Sequence, residues 1–401
     1  MMQQWKKWMT LAVATMALIA CDESSSATEE NTSSSQGSSS SGASSSSVTV
    51  TGWAGITDVA SVSTGYYYTM ILESDGDLWA LGSVAGFWAD DSSKMLLTPE
   101  KVMTGVASVS AGHLHTLIVK TDGSLWAAGH NYKGEIGVGT PSDSGVIPVT
   151  MGPVKVMDGV ASASANEVVS LILKKDGSLW GMGNNGGGEL GTGDTLDVSK
   201  PVKIMDEVAY ADAGDANSAI IKTDGSLWVA GMFAWTVIAG NYENITDFVQ
   251  VTTDVAFVAT SFSHIMFVKT DGTLWTAGTN IYGTLGVDST HGKYVNDPIQ
   301  VMSDVKSVDV SYSSSLIVKT DGSLWACGYN LMGNVGTGDS TIVRTPRKIM
   351  DSVESVSSNK THSMILKKDG SVWGTGNNVY GNIGTGSRGE TLFAPTRVFT
   401  P

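Results

Sequence analysis

Histidine recurs at one position of this chain. His115, His264 and His362 each stand eleven residues before a tryptophan (Trp126, Trp275 and Trp373). Evenly repeated imidazoles could ligate a metal or relay protons. The equivalent positions, however, hold Tyr68, Val169, Asn217 and Ser314. A position that accepts Val and Ser is structural. His113, His130 and His291 are scattered, and no His-x-x-x-His or Glu-paired spacing suited to a metal occurs. No metal and no other cofactor is expected.

Other motifs are equally weak as chemistry. Gly181-Met182-Gly183-Asn184-Asn185-Gly186 fits Gly-x-Gly-x-x-Gly. A dinucleotide site needs that turn to open a helix, and no helical pattern follows. Asp75-Gly76-Asp77 hints at a calcium loop, but six further Asp-Gly copies read as hairpin turns whose Gly supplies positive φ. There is no Gly-x-Ser-x-Gly elbow. For an enzyme, Glu167 and Asp215 on neighbouring loops are the one pair of carboxylates that could converge.

The elements that hold these residues are repeats. Trp79, Trp126, Trp180, Trp228, Trp275, Trp325 and Trp373 each follow an Asp-Gly turn, 47 to 54 residues apart. Around each lie a small Ala/Ser-rich strand, a Gly-x-x-His type loop, an apolar strand, the turn, the Trp strand, a Gly-rich loop and a Pro-led strand. Seven units of four short strands predict an all-β, seven-bladed propeller of antiparallel blades over 48–401. The small strand suits the crowded axis, and the Trp suits the wedge between blades. The last Pro-led strand, Pro395 to Phe399, ends the chain, and none precedes the first repeat near Val59. This favours a latch, with the carboxyl-terminal strand pairing into the first blade. Were blades cut after the Pro-led strand, each would be contiguous and the latch would vanish. Val48-Thr49-Val50 alternates and reads as a further edge strand.

The amino terminus reads as an export signal over 1–20, with Lys6 and Lys7 before an apolar run that is too short to span a bilayer. Leu18-Ile19-Ala20-Cys21 resembles the lipobox of bacterial lipoproteins, which implies cleavage before Cys21 and its acylation. Residues 21–47 then form a Ser-rich, disordered tether. The expectation is a monomer in a bacterial cell envelope, outer membrane or periplasm-facing, that meets the membrane only through its lipid. With Cys21 acylated, Cys327 has no disulfide partner and reads as a small buried hydrophobe. The net charge of −15 grows more negative without Lys6 and Lys7, which disfavours nucleic acid.

Gly-x-x-His-[Ser/Thr], Asp-Gly-x-[Leu/Val]-Trp and Gly-x-Asn-x-x-Gly-x-[Leu/Ile]-Gly-x-Gly together resemble the regulator of chromosome condensation repeat. The clearest copies run from Gly112 to Gly139 and from His362 to Gly386. The resemblance covers about 59–399 and implies the seven-bladed fold, but no one function. Relatives include a guanine-nucleotide exchange factor, a plant ultraviolet-B photoreceptor and a secreted bacterial β-lactamase inhibitor. The first depends on basic charge and the second on Trp interlaced with Arg. The third, which binds a protein through one face of loops, is nearest in compartment.

Strands alternate in direction, so the Gly-x-x-His and Gly-rich loops should share one face, with the uniform Asp-Gly turns opposite. The loop face is rich in aromatic residues. Tyr66, Tyr67, Phe262 and Tyr312 come from the first loop class. Phe87, Trp88, Tyr132, Trp235, Tyr282, Tyr329 and Tyr380 come from the second. Such rings are typical protein anchors, and they also suit stacking on sugars. The preferred reading is a non-catalytic binding protein for a protein partner. The alternatives are a polysaccharide-binding or adhesion module and an enzyme in the central channel.

Overall fold

The computed structural model describes residues 53–84, 87, 94–139, 152–232 and 245–401. The signal, Cys21, the tether, Val48 to Val50, Trp88 and Trp235 lie outside them. Among the described residues, twenty-eight strands form seven antiparallel sheets of four, and the one helix is a 3-10 turn at Ser289–His291. The blades span 59–103, 106–157, 160–205, 208–252, 255–302, 305–350 and 353–399. In blade 3 the strands are Val160–Ala165, Val169–Lys174, Leu179–Gly183 and Val198–Met205, running from the axis outward.

Local chemistry explains the order. The innermost strands carry the small residues, as expected beside a crowded axis. The second strands, such as His264–Lys269, are buried along nearly their whole length and read as apolar runs. At the Asp-Gly turn the sequence does more than supply positive φ. Asp122 Oδ1 accepts from Ser124 N (2.8 Å) and Ser124 Oγ (2.6 Å), and Ser124 Oγ in turn accepts the Trp126 indole N–H (3.0 Å). The same chain of bonds recurs at Asp176, Asp224, Asp271, Asp321 and Asp369. It explains why Ser or Thr follows Asp-Gly there. Trp126, Trp180, Trp228 and Trp275 each pack half-buried against an interblade core, as the wedge role requires.

The latch is not formed. Thr391–Phe399 pairs with Val372–Asn377 of its own blade, with Trp373 opposite Arg397, and every blade is one contiguous stretch. Closure rests instead on lateral contacts. Six backbone N–H groups, each from the inner strand of one blade, donate to a Ser or Asp oxygen of the blade before. The donors and acceptors are Ala111 to Ser63, Ala165 to Ser110, Ala213 to Ser164, Thr260 to Asp212, Ser358 to Asp309 and Thr64 to Ser357. The last of these joins blade 7 to blade 1 at 3.0 Å. At the seventh junction Ala259 stands where an acceptor would be. Ser357→Ala should leave the Thr64 N–H without its acceptor and cost about 1–3 kcal/mol in denaturant unfolding. An unchanged midpoint would show that this lacing does not hold the ring.

The repeated histidines are a second set of struts. His115, His264 and His362 place Nε2 at 2.9 Å from Ser170 Oγ, 2.7 Å from Ser315 Oγ and 2.8 Å from Thr69 Oγ1, each in the following blade. Burial pushes all three down to about 3, so they remain neutral. Cys327 is fully buried, and burial pushes its thiol up to about 12. Both structural readings hold.

Candidate functional site: the loop face

Antiparallel order within each blade places the two loop classes on one face and the Asp-Gly turns on the other. The middle residues of the seven Gly-x-x-His type loops are Tyr66, His113, Glu167, Asp215, Phe262, Tyr312 and Lys360. Lys360 ties the mouth of the channel together. Its Nζ lies 3.5 Å from Glu167 Oε1 and 3.7 Å from Asp215 Oδ2, and 4.7 Å and 5.8 Å from the ring centres of Tyr312 and Tyr66. Burial opposes the charge on Lys360, yet Asp215 and Glu167 hold its pKa above the usual lysine value. Burial pushes Asp215 up to about 6 against the pull of Lys360. Glu167 and Asp215 do converge, but on a cation, so they are not a free acid-base pair. A lone basic residue at a loop position that elsewhere carries aromatic or acidic side chains was the signal for this tie.

The aromatic residues pack more closely with one another than the sequence suggested. Tyr66 lies 4.0 Å from Tyr67 and 4.1 Å from His113, and Tyr67 lies 4.2 Å from Tyr380, centre to centre. Phe262 stacks on Tyr312 at 5.0 Å, and Tyr282 meets Tyr329 edge-on at 5.1 Å. These eight rings are half-buried. Tyr132 is 40% exposed, whereas Phe87 is buried at 8% and belongs to the blade 1 core. The position after the loop Asn is open and apolar in three blades, with Tyr132, Ile281 at 36% and Leu331 at 52%, whereas blades 3 and 7 hold Gly186 and half-buried Val379 there. Sequence reasoning passed over Ile281 and Leu331 because it searched for rings. The common offset from Asn131, Asn280 and Asn330 would have found them.

On the opposite face Glu73, Asp75 and Asp77 bring carboxylate oxygens within 4.8 Å of one another. These oxygens are already engaged. Glu73 accepts from Thr57 N (2.7 Å) and Trp79 Nε1 (2.6 Å), Asp75 from Asp77 N (2.9 Å), and Asp77 pairs with Lys101. The cluster is a turn brace.

A ring of seven contiguous blades with all its irregular loops on one side defines a seven-bladed β-propeller whose variable surface is that side. Residues 106–135, 176–221 and 353–382 match the regulator of chromosome condensation (RCC1) repeat, and the chain is a repeat propeller of that type. Prp20p of Saccharomyces cerevisiae, described with its binding to Gsp1p and histones, superposes with a TM-score of 0.71. It is 19% identical, over 82% of this chain and 88% of that one. Yeast RCC1 (Prp20) bound to Kap60 gives 0.71 at 18% identity, over 93% and 91%. Human WBSCR16 gives 0.51 at 20%, over 86% and 82%. Identities this low speak to the fold alone. No curated protein sequence matches the chain.

Proposed function

We propose that this chain is a non-catalytic binding protein that holds a protein partner on its loop face, and that acylation of Cys21 anchors it in a bacterial envelope. The observation that carries the binding role is the run of open apolar residues at one repeated loop position, Tyr132, Ile281 and Leu331, beside the Tyr282–Tyr329 pair. Aliphatic tips bury well against a protein and do not stack on sugars, and aromatic neighbours are frequent protein anchors. This favours a protein over a polysaccharide. The ion pairs of Lys360 with both channel-mouth acids argue against hydrolysis there. Prp20 relatives that hold proteins on the same fold are consistent with the reading. The lipid anchor rests on Leu18-Ile19-Ala20-Cys21 and the Ser-rich stretch behind it.

Affinity capture from membrane and secreted extracts tests the binding role. Ile281→Asp with Leu331→Asp should weaken capture of the bound protein at least about tenfold, since two apolar contacts are lost from the interface centre. The melting temperature should stay within a degree or two, because both residues are exposed. Capture that survives the double change, or binding on a glycan array that needs the same residues, defeats the protein-partner reading. Metabolic labelling with a fatty acid, lost in Cys21→Ser, tests the anchor.

A further inference from the structure

The inner strands of all seven blades enclose a cavity of about 160 Å3 on the axis, below the Lys360 tie. Two acids face it. Asp212 of blade 4 and Asp309 of blade 6 each accept a backbone N–H and a serine hydroxyl, and neither has a basic partner among the described residues. At the upper end, Asp215 is 7% exposed and lines the cavity, and its Oδ2 has no hydrogen-bond donor. Lys360 is its neighbour, but at 3.7 Å it stands beyond hydrogen-bond length. His113 Nε2, from blade 2, also lies in the lining, buried and likewise without a hydrogen-bond partner. Tyr210 and Phe257, 5.2 Å apart, complete the lining beside Asp212.

We infer that this channel binds a small organic ammonium ion. Uncompensated carboxylates in a confined space require a counter-charge or a proton. A bare metal ion fits poorly, because among the described residues the one group of three acids within metal-ligand range is Glu73, Asp75 and Asp77 on the far face. A primary amine fits better. It needs only one carboxylate at its nitrogen and can take its other acceptors from the serines that also line the cavity. The Tyr210–Phe257 pair offers ring faces to the cation and its methylene groups. The cavity has room for roughly five heavy atoms in place of several waters. Burial holds Asp212 and Asp309 above the usual carboxylate range, at about 7 and about 6, as expected of acids that lack a cation. None of Tyr132, Ile281 and Leu331 lines the cavity, so the site stands or falls independently of the protein-partner reading.

The test is calorimetry and thermal shift on the full chain at pH 8 with n-butylammonium chloride, with 1-butanol as the uncharged control of equal length. Butylammonium should bind saturably, with a dissociation constant on the order of 1 mM, and raise the melting temperature; butanol should do neither. Asp212→Asn with Asp309→Asn should weaken binding at least tenfold, and Asn keeps an oxygen for the Thr260 and Ser358 N–H groups. Lys360→Met removes the resident cation from the mouth and should tighten binding by about tenfold. That variant decides the matter should the double variant not fold. Equal responses to butanol and butylammonium, no saturable binding by the wild type, or unchanged affinity in Lys360→Met overturns the inference and leaves a water-filled channel.

Discussion

Trp53→Ala should cost about 3–5 kcal/mol of unfolding free energy, the range for deleting a buried indole. Trp53 lies ahead of the first blade, yet it closes the ring. It is 6% exposed, stacks on Phe399 at 5.4 Å, and donates its indole N–H to Gly384 O at 2.9 Å. Phe399 ends the last blade and Gly384 lies in that blade's Gly-rich loop. At other junctions the corresponding glycines meet the outer strand of the next blade, as Gly286 meets Pro346 and Gly336 meets Pro395. A Cβ on Gly384 would lie 2.9 Å from Trp53 Nε1, which explains the glycine. Trp53 therefore takes, at the closing junction, the place that Pro201, Pro346 and Pro395 fill elsewhere and that Phe248 fills against Gly191. Trp53→Phe keeps a ring against Phe399 and loses the hydrogen bond, so its cost should be nearer 1–2 kcal/mol. Urea unfolding checks both. A loss below about 1 kcal/mol for the alanine variant would mean that the lacing of inner strands closes the ring unaided.

The second large effect is the contribution of Asp212 to the pH dependence of stability, which is opposite in sign to the usual acid lability. Asp212 has its pKa raised by burial from 3.8 to about 7. Between those values the folded chain binds more protons than the unfolded one, so stability falls as pH rises. The acid reaches channel water, so screening trims the effect, and about 2–3 kcal/mol is expected between pH 4 and pH 8. Asp309, raised to about 6, contributes in the same direction below that pH. Asp212→Asn should flatten this slope and stabilise the chain at pH 8, because Asn can still accept from Thr260. The hairpin aspartates act in the opposite sense. Hydrogen bonds from Ser124 hold Asp122 below its usual value, and Ser226 does the same for Asp224. Their contribution is lost below about pH 4. The buried histidines act in that sense too: His115, His264 and His362, held near 3, make stability rise with pH up to about 6.5. The account of Asp212 is therefore read from the difference between the wild type and Asp212→Asn, and equal slopes in the two between pH 4 and pH 8 would refute it.

The fold was legible because its signals repeat. One Asp-Gly-Ser-Leu-Trp hairpin is ambiguous, whereas seven at near-constant spacing leave few architectures. The common face of both loop classes followed from strand alternation alone. The phase of the blade was not legible. A Pro-led strand between two small strands is equally close to either, and only the pairing of Trp79 with Lys101 and of Trp373 with Arg397 decides it. The inner serines were read as small when they are also acceptors, because a hydroxyl lacing two blades looks the same in sequence as one that merely fits. At the loop face, residue type showed where rings cluster but not that Tyr66, Tyr67 and Tyr380 spend much of their surface on one another.

A ring whose segments are each uninterrupted has no required first segment. New termini opened at a bottom-face corner such as Thr253-Asp254, between two complete blades, would sever no sheet. A permuted chain would need only a linker carrying Phe399 back to Trp53, which already touch. Were Cys21 acylated as proposed, such a rearrangement would also move the anchored end around the rim, and so choose which sector of the loop face stands nearest the membrane.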